Sequence, residues 1–246
     1  PDDYVEIIEI LRDADGNVEK ISEQYKRTLA AKAFQHVAHY DSLVAEFLRV
    51  DDPFPEQFTF AATKIEEFRY AENPHQDGAF YKHDSIFTKN EGVGAFIQLH
   101  GKQMSYVNFL DADAAYNLVC DFVDPSLAII KHTNPVCFAC SSDNSNLNDL
   151  YEQALNNGDS LSAYGGILAT NRIIDRNFAE TLREMRSPDN GTRMFYEIII
   201  APGYEEGALE HLQKKSKDLR ILEAPVGTPL KDRMEVRSVR GGLLVQ

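Results

Sequence analysis

The sequence predicts an α/β protein in which a helical segment precedes a layered domain. Three observations support this fold class. From residue 95 onward, short β-rich runs alternate with helical periods. Several of these runs are apolar throughout, as in 196–201. The first 50 residues show only helical periodicity. Strands that are apolar throughout need cover on both faces, which right-handed βαβ units provide. We therefore expect a helical segment over residues 1–63 and a layered α/β domain over 64–246.

The opening segment predicts two amphipathic helices. The apolar positions of the first helix are Tyr4, Ile7, Ile8 and Leu11, and those of the second are Leu29, Ala33, Val37 and Tyr40. The first pattern stops at the turn 15–17, and the loop 51–55 is the best candidate for a domain boundary. These helices have no sheet of their own to cover, so we expect them to pack on another segment, in this chain or missing from it.

Strands and helices then alternate along the remainder of the chain. The predicted strands cover 96–99, 126–132, 167–169, 196–201 and 219–222. The predicted helices are one capped by Asp111, one over 147–157, one that follows Asp175 and one over 204–215. Asp111 is a candidate N-cap because a carboxylate accepts hydrogen bonds from the free N–H groups of a first turn, and Gly158 ends the helix over 147–157.

Charge and cysteine content exclude several classes of partner. The formal net charge is −14 and the sequence pI is about 4.9, so the field repels nucleic acids and anionic lipids. We expect neither nucleic acid nor membrane as a partner, although a local Arg and Lys cluster can still bind an anionic nucleotide. Three cysteines are too few for a disulfide scaffold, which predicts a cytoplasmic protein. Pro1 opens inside a helical pattern, which suggests a piece of a longer chain.

The segment Lys131-His132-Thr133-Asn134-Pro135 is the strongest candidate for chemistry. A strand ends there in two ionisable residues, and we expect Pro135 to force the chain out of the sheet. Imidazole titrates near neutral pH and suits a general base, while a neighbouring ammonium stabilises a developing oxyanion. The spacing alone favours the simpler interpretation, a solvated Lys131 at a strand end and a hydrogen-bonded His132 in a loop.

Two further loops are candidate binding segments. Arg69 and Tyr70 open the polar run 69–76, where a guanidinium fork matches phosphate and an aromatic ring can stack on a base. Gly165 and Gly166 precede an apolar strand and permit close approach of the backbone to a ligand. An ordinary surface connector and a tight packing bend explain the two loops as well.

Cys137 and Cys140 form a C-x-x-C pair that invites a metal-site interpretation. With Pro135 nearby, the pair resembles the zinc segment of nucleobase deaminases. Val136 separates the proline from the first cysteine, and none of the seven histidines starts an H-x-E motif. A single pair without further ligands is weak evidence for zinc, so we expect two buried thiols and no metal.

Taken in order, these segments resemble the AICAR (aminoimidazole carboxamide ribonucleotide) transformylase/IMP cyclohydrolase family. The matching segments are 69–76, 101–115, 131–135, 162–166, 199–202 and 238–246, together with 3–4 and 29–34 near the start. The resemblance implies formyl transfer from formyl-tetrahydrofolate to the amine of AICAR, which gives FAICAR on the path to IMP in purine biosynthesis. It also implies a cytidine-deaminase-like α/β fold without catalytic zinc, and a homodimer.

The resemblance assigns roles to particular residues. It implies that His132 is the base and that Lys131 assists it at the developing charge. The residues that the resemblance places along the substrate site are Arg69, Tyr70, Asn108, Gly165 and Glu197. The chain departs from the family pattern at Ala71, where glycine is usual, and at Val136-Cys137, where Cys-Gly is usual.

The resemblance also sets the expected domain organisation. Residues 1–63 correspond to the helical end of the cyclohydrolase domain, and 64–246 to the first lobe of the transformylase domain. The cyclohydrolase site would lie mainly before this segment, and much of the folate site would lie in a second lobe after it. Three hypotheses stay open: a formyltransferase, a zinc-dependent deaminase, and a non-catalytic half-enzyme that binds nucleotide or assembles with a partner lobe.

Overall fold

A computed structural model describes residues 3–49, 52–69, 71–85, 91–142, 146–227 and 234–246. The chain divides into two compact units, Pro1–Thr63 with His83–Phe87, and Lys64–Lys82 with Thr88–Gln246. The described helices are α1 (Tyr4–Asp13), α2 (Glu23–Leu48), α3 (Tyr106–Cys120), α4 (Leu147–Asn157), α5 (Arg176–Glu184) and α6 (Ala208–Gln213). The described strands are β1 (Ala61–Phe68), β2 (Gly78–Asp84), β3 (Ile97–His100), β4 (Ser126–Lys131), β5 (Asn134–Cys140), β6 (Gly166–Thr170), β7 (Tyr196–Ala201), β8 (Arg220–Glu223), β9 (Val236–Val239) and β10 (Gly242–Val245).

The first unit is built on α1 and α2, which confirms the two predicted helices. Ser22 caps α2 by accepting a hydrogen bond from the Tyr25 backbone N–H, and Lys32 on α2 forms an ion pair with Asp3 at 2.7 Å. His39 on the same helix contacts the carboxylate of Asp84 at 3.0 Å. Every residue of α1 and α2 is exposed or half-buried. Neither described helix is long and apolar enough to span a membrane, and the same holds for the other described helices.

The second unit is centred on a mixed sheet, which confirms the α/β class. The described strands of this sheet follow the order β3-β8-β7-β6-β4-β5. β6, β7 and β8 run parallel to one another, and α5 and α6 provide the crossovers between them, as the βαβ prediction required. The pairs β4–β5, β4–β6 and β3–β8 are antiparallel. The predicted βαβ units therefore form only the centre of the sheet.

Two apolar layers cover the sheet, one on each face. Alternate residues of β4 divide between them: Leu127 and Ile129 pack with α4, α5 and α6, whereas Ala128 and Ile130 pack with α3. Alternate side chains of a strand point to opposite faces, so a strand with cover on both sides must be apolar throughout. β4 is accordingly buried at every position before Lys131.

Two sequence expectations about this unit are wrong. Asp111 was expected to cap α3, but the N-cap is Ser105, whose hydroxyl and the Asn108 side chain form a reciprocal capping box. Pro135 was expected to force the chain out of the sheet, but it lies within β5, opposite Ile130 and beside a register shift. The edge position of β5 explains this, because a strand with one neighbour tolerates a residue without an N–H.

Candidate functional site

The chain between β4 and β5 reverses in a two-residue turn made by His132 and Thr133. Lys131 pairs with Asn134 across the turn, and His132 and Thr133 have left-handed φ values of 53° and 61°. Positive φ at both central residues is the mark of a type I′ hairpin turn. The His132 carbonyl accepts hydrogen bonds from Thr133 Oγ1 and Asn134 Nδ2, both at 2.7 Å. His132 is therefore an exposed residue at the tip of a tightly defined turn.

Lys131 is the last residue of β4 and is half-buried. Its Nζ donates a hydrogen bond of 2.8 Å to the carbonyl of Tyr164, which directly precedes Gly165. The pKa of the nearby Asp159 carboxyl is lowered, mainly by hydrogen bonds from Ser162 and in smaller part by the charge on Lys131. The ammonium group is thus held beside the turn that carries the two glycines.

Gly165 and Gly166 are glycines for different reasons. Gly165 has φ of +77°, which side chains rarely adopt, yet a Cβ there would meet no atom within 4 Å. A Cβ on Gly166 would approach the Ile130 carbonyl oxygen at 2.9 Å. Gly166 thus permits tight packing of β6 against β4, whereas Gly165 sets a backbone direction and leaves open space beside it.

Glu197 on β7 is held by a buried arginine that the sequence reasoning missed. Arg220 at the start of β8 has an 11% exposed side chain, and its Nη1 lies 3.0 Å from Glu197 Oε2. Its Nε donates to the carbonyl of Gln103 at 3.1 Å, in the connector that leads to α3. The carboxylate of Glu197 is 45% exposed, so it can still contact a ligand.

Asn108 lies in the first turn of α3, and Arg69 follows a residue that packs against this helix. The Asn108 side chain accepts a hydrogen bond from the Ser105 backbone N–H at 3.1 Å, which makes it part of the helix cap. Phe68 is buried at the end of β1 and lies 5.4 Å from the Phe109 ring, measured between ring centroids. Arg69 follows Phe68 directly and is exposed. Tyr70 lies outside the described residues.

Most of these residues meet at one edge of the central sheet. Ile130 pairs with Ile167, so the end of β4 lies at the beginning of β6, and Gly166 pairs with Tyr196 at the beginning of β7. Lys131, His132, Gly165 and Glu197 therefore share this edge. β4 ends at this edge, whereas the parallel strands β6, β7 and β8 begin there, because β4 runs antiparallel to β6.

The comparisons with known proteins identify the family. The family model described as AICARFT/IMPCHase bienzyme matches residues 1–246. The chain belongs to this AICARFT/IMPCHase family. Similar relatives include proteins named bifunctional purine biosynthesis protein PurH. One from Bacillus cereus strain AH187 is 39% identical over 246 residues, and one from strain 03BB102 is 41% identical over 229 residues.

The chain spans less than half the length of these relatives. It is covered to 99% and 92% in the two alignments, but they include only 45% and 42% of the respective relatives. A relative from Bacillus anthracis is 40% identical over 229 residues, with 42% of its length covered. The match therefore concerns one continuous part of the family's longer chain.

In this member of the AICARFT/IMPCHase family the two cysteines of the C-x-x-C pair have different surroundings. Cys137 is buried in the layer with α4, and burial raises the pKa of its thiol to about 11. Cys140 is half-buried. Both lie in β5, where residues three apart point to opposite faces, so the two sulfurs do not face one ion. Among the described residues, no group of three or more His, Cys, Asp or Glu side chains is arranged to hold a metal.

Sequence reasoning missed two charged residues that hold this edge together, Asp111 and Arg220. Asp111 is 9% exposed on α3, and its Oδ1 accepts a hydrogen bond of 2.7 Å from the Thr133 backbone N–H. Arg220, measured over the whole residue, is likewise 9% exposed. Each is a charged residue within an element whose neighbouring positions are predicted to be buried. That combination could have identified them, because ionised side chains are rarely buried without a partner.

Proposed function

We propose that this chain supplies the first lobe of an AICAR transformylase, which transfers a formyl group from formyl-tetrahydrofolate to the amine of AICAR and forms FAICAR in purine biosynthesis. The observation that supports the proposal best is the placement of Lys131 and His132 at the end of β4, beside Gly165 and Glu197 on one sheet edge. Membership of the AICARFT/IMPCHase family supports the same reaction.

The proposed chemistry needs a base and a cation close together. The amine nitrogen of AICAR attacks the formyl carbon, a C–N bond forms, and the carbonyl oxygen gains negative charge. His132 accepts the proton that the amine loses and returns it to the departing tetrahydrofolate nitrogen as its bond to the formyl carbon breaks. Lys131 stabilises the transient oxyanion, since its Nζ carries three N–H donors and the Tyr164 carbonyl accepts one of them.

The remaining candidate residues would hold the nucleotide. Arg69 is exposed beside α3 and offers a planar fork of donors for the phosphate, and the ring of Tyr70, which lies outside the described residues, would stack on the base. The open space at Gly165 admits the substrate close to the backbone. Glu197 can accept hydrogen bonds from ligand N–H groups, and Asn108 orients the helix that borders the site.

Several finer expectations belong to the same proposal. The lobe would have a cytidine-deaminase-like arrangement, and residues 1–63 would be the helical end of the cyclohydrolase domain. The active protein would be a cytoplasmic homodimer that uses formyl-tetrahydrofolate as co-substrate and holds no metal. The mixed sheet covered on both faces is compatible with that arrangement.

A second candidate function is nucleotide binding without turnover. One relative matches 99% of this chain, but the match covers only 45% of that relative. Residues that bind the folate can therefore lie in the remaining part of the family's longer chain. In that case residues 1–246 would bind AICAR and assemble with a partner lobe without performing the transfer.

Formyl transfer to AICAR separates these candidates. The assay compares this chain alone, the chain with the following segment of its natural protein, and the His132→Ala variant in both contexts. The matched control is His36→Ala, since His36 is exposed on α2. Loss of a proton-transfer group should lower kcat by about 10²- to 10⁴-fold, and His36→Ala should leave it unchanged. AICAR binding without turnover in every mixture would reject the transferase proposal, and a fully active His132→Ala variant would reject the role of His132.

A further inference from the structure

We propose that Asp111 is a positioning residue for His132. Its carboxylate, buried on α3, holds the turn that carries the imidazole through the Thr133 backbone N–H. The inference rests on the proposed function, in which His132 exchanges a proton with the substrate amine. Asp111 is joined to the turn through the Thr133 backbone N–H, so we assign its effect on His132 to the geometry of the turn.

The turn has a conformation that its residues do not favour. His132 and Thr133 both lie in the left-handed region, and Thr133 is β-branched, so its Cβ crowds the backbone there. Turns of this type normally use Asn-Gly or similar pairs, for which positive φ is less costly. A strained non-glycine backbone persists only where the surrounding structure imposes it. Some contact from outside the turn must therefore stabilise it.

Asp111 provides that contact. Its Oδ1 accepts the Thr133 N–H at 2.7 Å, a short distance typical of a hydrogen bond to a charged acceptor. The side-chain hydrogen bonds from Thr133 Oγ1 and Asn134 Nδ2 to the His132 carbonyl are internal to the turn and do not link it to another element. The bond to Asp111 links the turn to a different element, 22 residues away in sequence.

The element that carries Asp111 is rigid. α3 begins with the Ser105–Asn108 capping box, and Ala112 and Ala115 on its inner face are fully buried against the sheet. A carboxylate mounted on such a helix has a fixed position, because close packing allows little movement of the backbone beneath it. The turn is therefore held at a defined distance from the helix N-terminus that borders the site. Misplacement of a reacting group by about 1 Å can cost about 100-fold in rate.

The test uses variants of the longest natural chain that contains residues 1–246. Asp111→Ala removes the acceptor, and Asp111→Asn keeps an oxygen that can accept the same N–H. Thr133→Gly places glycine where positive φ is required, so that the turn no longer depends on the clamp. Ala115→Gly lies on the same helix and serves as a control that lowers stability without touching the turn.

Two readouts separate the clamp from the proposed reaction. The first is amide hydrogen exchange of Thr133 in ¹⁵N-threonine-labelled protein, which needs no activity. We expect Asp111→Ala to speed this exchange by about tenfold or more and Asp111→Asn to change it little. The second is formyl transfer, where Asp111→Ala should lower kcat by about 10- to 100-fold with an unchanged KM for AICAR. Asp111→Asn, and Thr133→Gly added to Asp111→Ala, should restore most of the rate, while Ala115→Gly keeps kcat.

Three results would overturn the inference. The first is unchanged exchange at Thr133 in Asp111→Ala, whatever the activity. The second is faster exchange with a normal kcat. The third is an equal loss of kcat in the Ala115→Gly control, which would show that general stability causes the effect. If the unmodified protein transfers no formyl group in any mixture, the proposed function fails, and the exchange measurement still decides whether Asp111 holds the turn.

Discussion

Replacing Arg220 by methionine should destabilise the second unit and loosen the Glu197 carboxylate. The Arg220 side chain is 11% exposed, and its guanidinium contacts Glu197 Oε2 at 3.0 Å and the Gln103 carbonyl at 3.1 Å. Methionine fills similar apolar volume without charge, so the substitution removes both polar contacts and leaves little cavity.

The expected magnitude follows from the exposure of the two partners. Loss of the charged hydrogen bond to the Gln103 carbonyl costs about 1.5–3 kcal/mol. Because Glu197 is 45% exposed, water replaces the arginine, and that contact adds only about 0–1 kcal/mol. Relief of the arginine desolvation penalty returns part of the sum. We expect the free energy of unfolding to fall by about 1–3 kcal/mol, which lowers the melting temperature by about 2–4 °C per kcal/mol at this size.

Chemical denaturation measures this change, and Arg193 provides the matched control. Arg193 forms an ion pair with Glu184, but its side chain is 52% exposed, so Arg193→Met should change stability by less than about 0.5 kcal/mol. A double-mutant cycle of Arg220→Met with Glu197→Gln then isolates the coupling between the two side chains. An Arg220→Met protein as stable as the unmodified one, or one no less stable than Arg193→Met, would refute the reasoning.

Three further outcomes are expected. Burial lowers the pKa of Lys215 from 10.5 to about 8, so between pH 8 and 10.5 the unfolded chain binds more protons than the folded one and the free energy of unfolding should rise with pH. After allowing for partial exposure we expect a rise of about 1–2 kcal/mol, measured by urea denaturation at several pH values. The rise should be absent in Lys215→Met. Gly101→Ala would place a Cβ 2.2 Å from the Leu219 carbonyl oxygen and should lower the melting temperature severely. Gly165→Ala meets no atom and should lose only the cost of positive φ, about 1–2 kcal/mol. Equal losses of stability in the two variants would contradict this difference. Asn171→Ala removes hydrogen bonds to the carbonyls of Val119, Phe122 and Asp124 and should lower the free energy of unfolding by about 2–4 kcal/mol, measured by chemical denaturation. Unchanged stability would show that these hydrogen bonds do not stabilise the fold.

Local patterns predicted the elements that have strong internal signals. α4 ends at Gly158 and α5 begins after Asp175, as their sequences indicate, because cap chemistry acts within one turn. The prediction failed for α3, where Asp111 has the right chemistry for a cap but Ser105 and Asn108 satisfy the first turn instead. The strands β1, β2, β9 and β10 were missed, because most of their residues are exposed or half-buried and show little apolar alternation.

The sequence likewise indicated individual residues of the candidate site but not their arrangement in space. Lys131 and His132 were singled out from their chemical types at a strand end, Gly165 from its place before an apolar strand, and Glu197 from the resemblance. Their placement on one edge could not be predicted, because it depends on β4 running antiparallel to β6. Arg220 was missed because its partner Gln103 is 117 residues away in sequence.

The sequence by itself determined the α/β class, the covered strands and the motifs that carry the family resemblance. Each of these depends on residue type and on spacing within one element, which are properties of a short stretch of chain. Only the tertiary structure decided the strand order, the left-handed turn at His132 and the contact of Asp111 with Thr133. These features depend on contacts between distant segments, whose free energy exists only after the sheet and α3 have packed together.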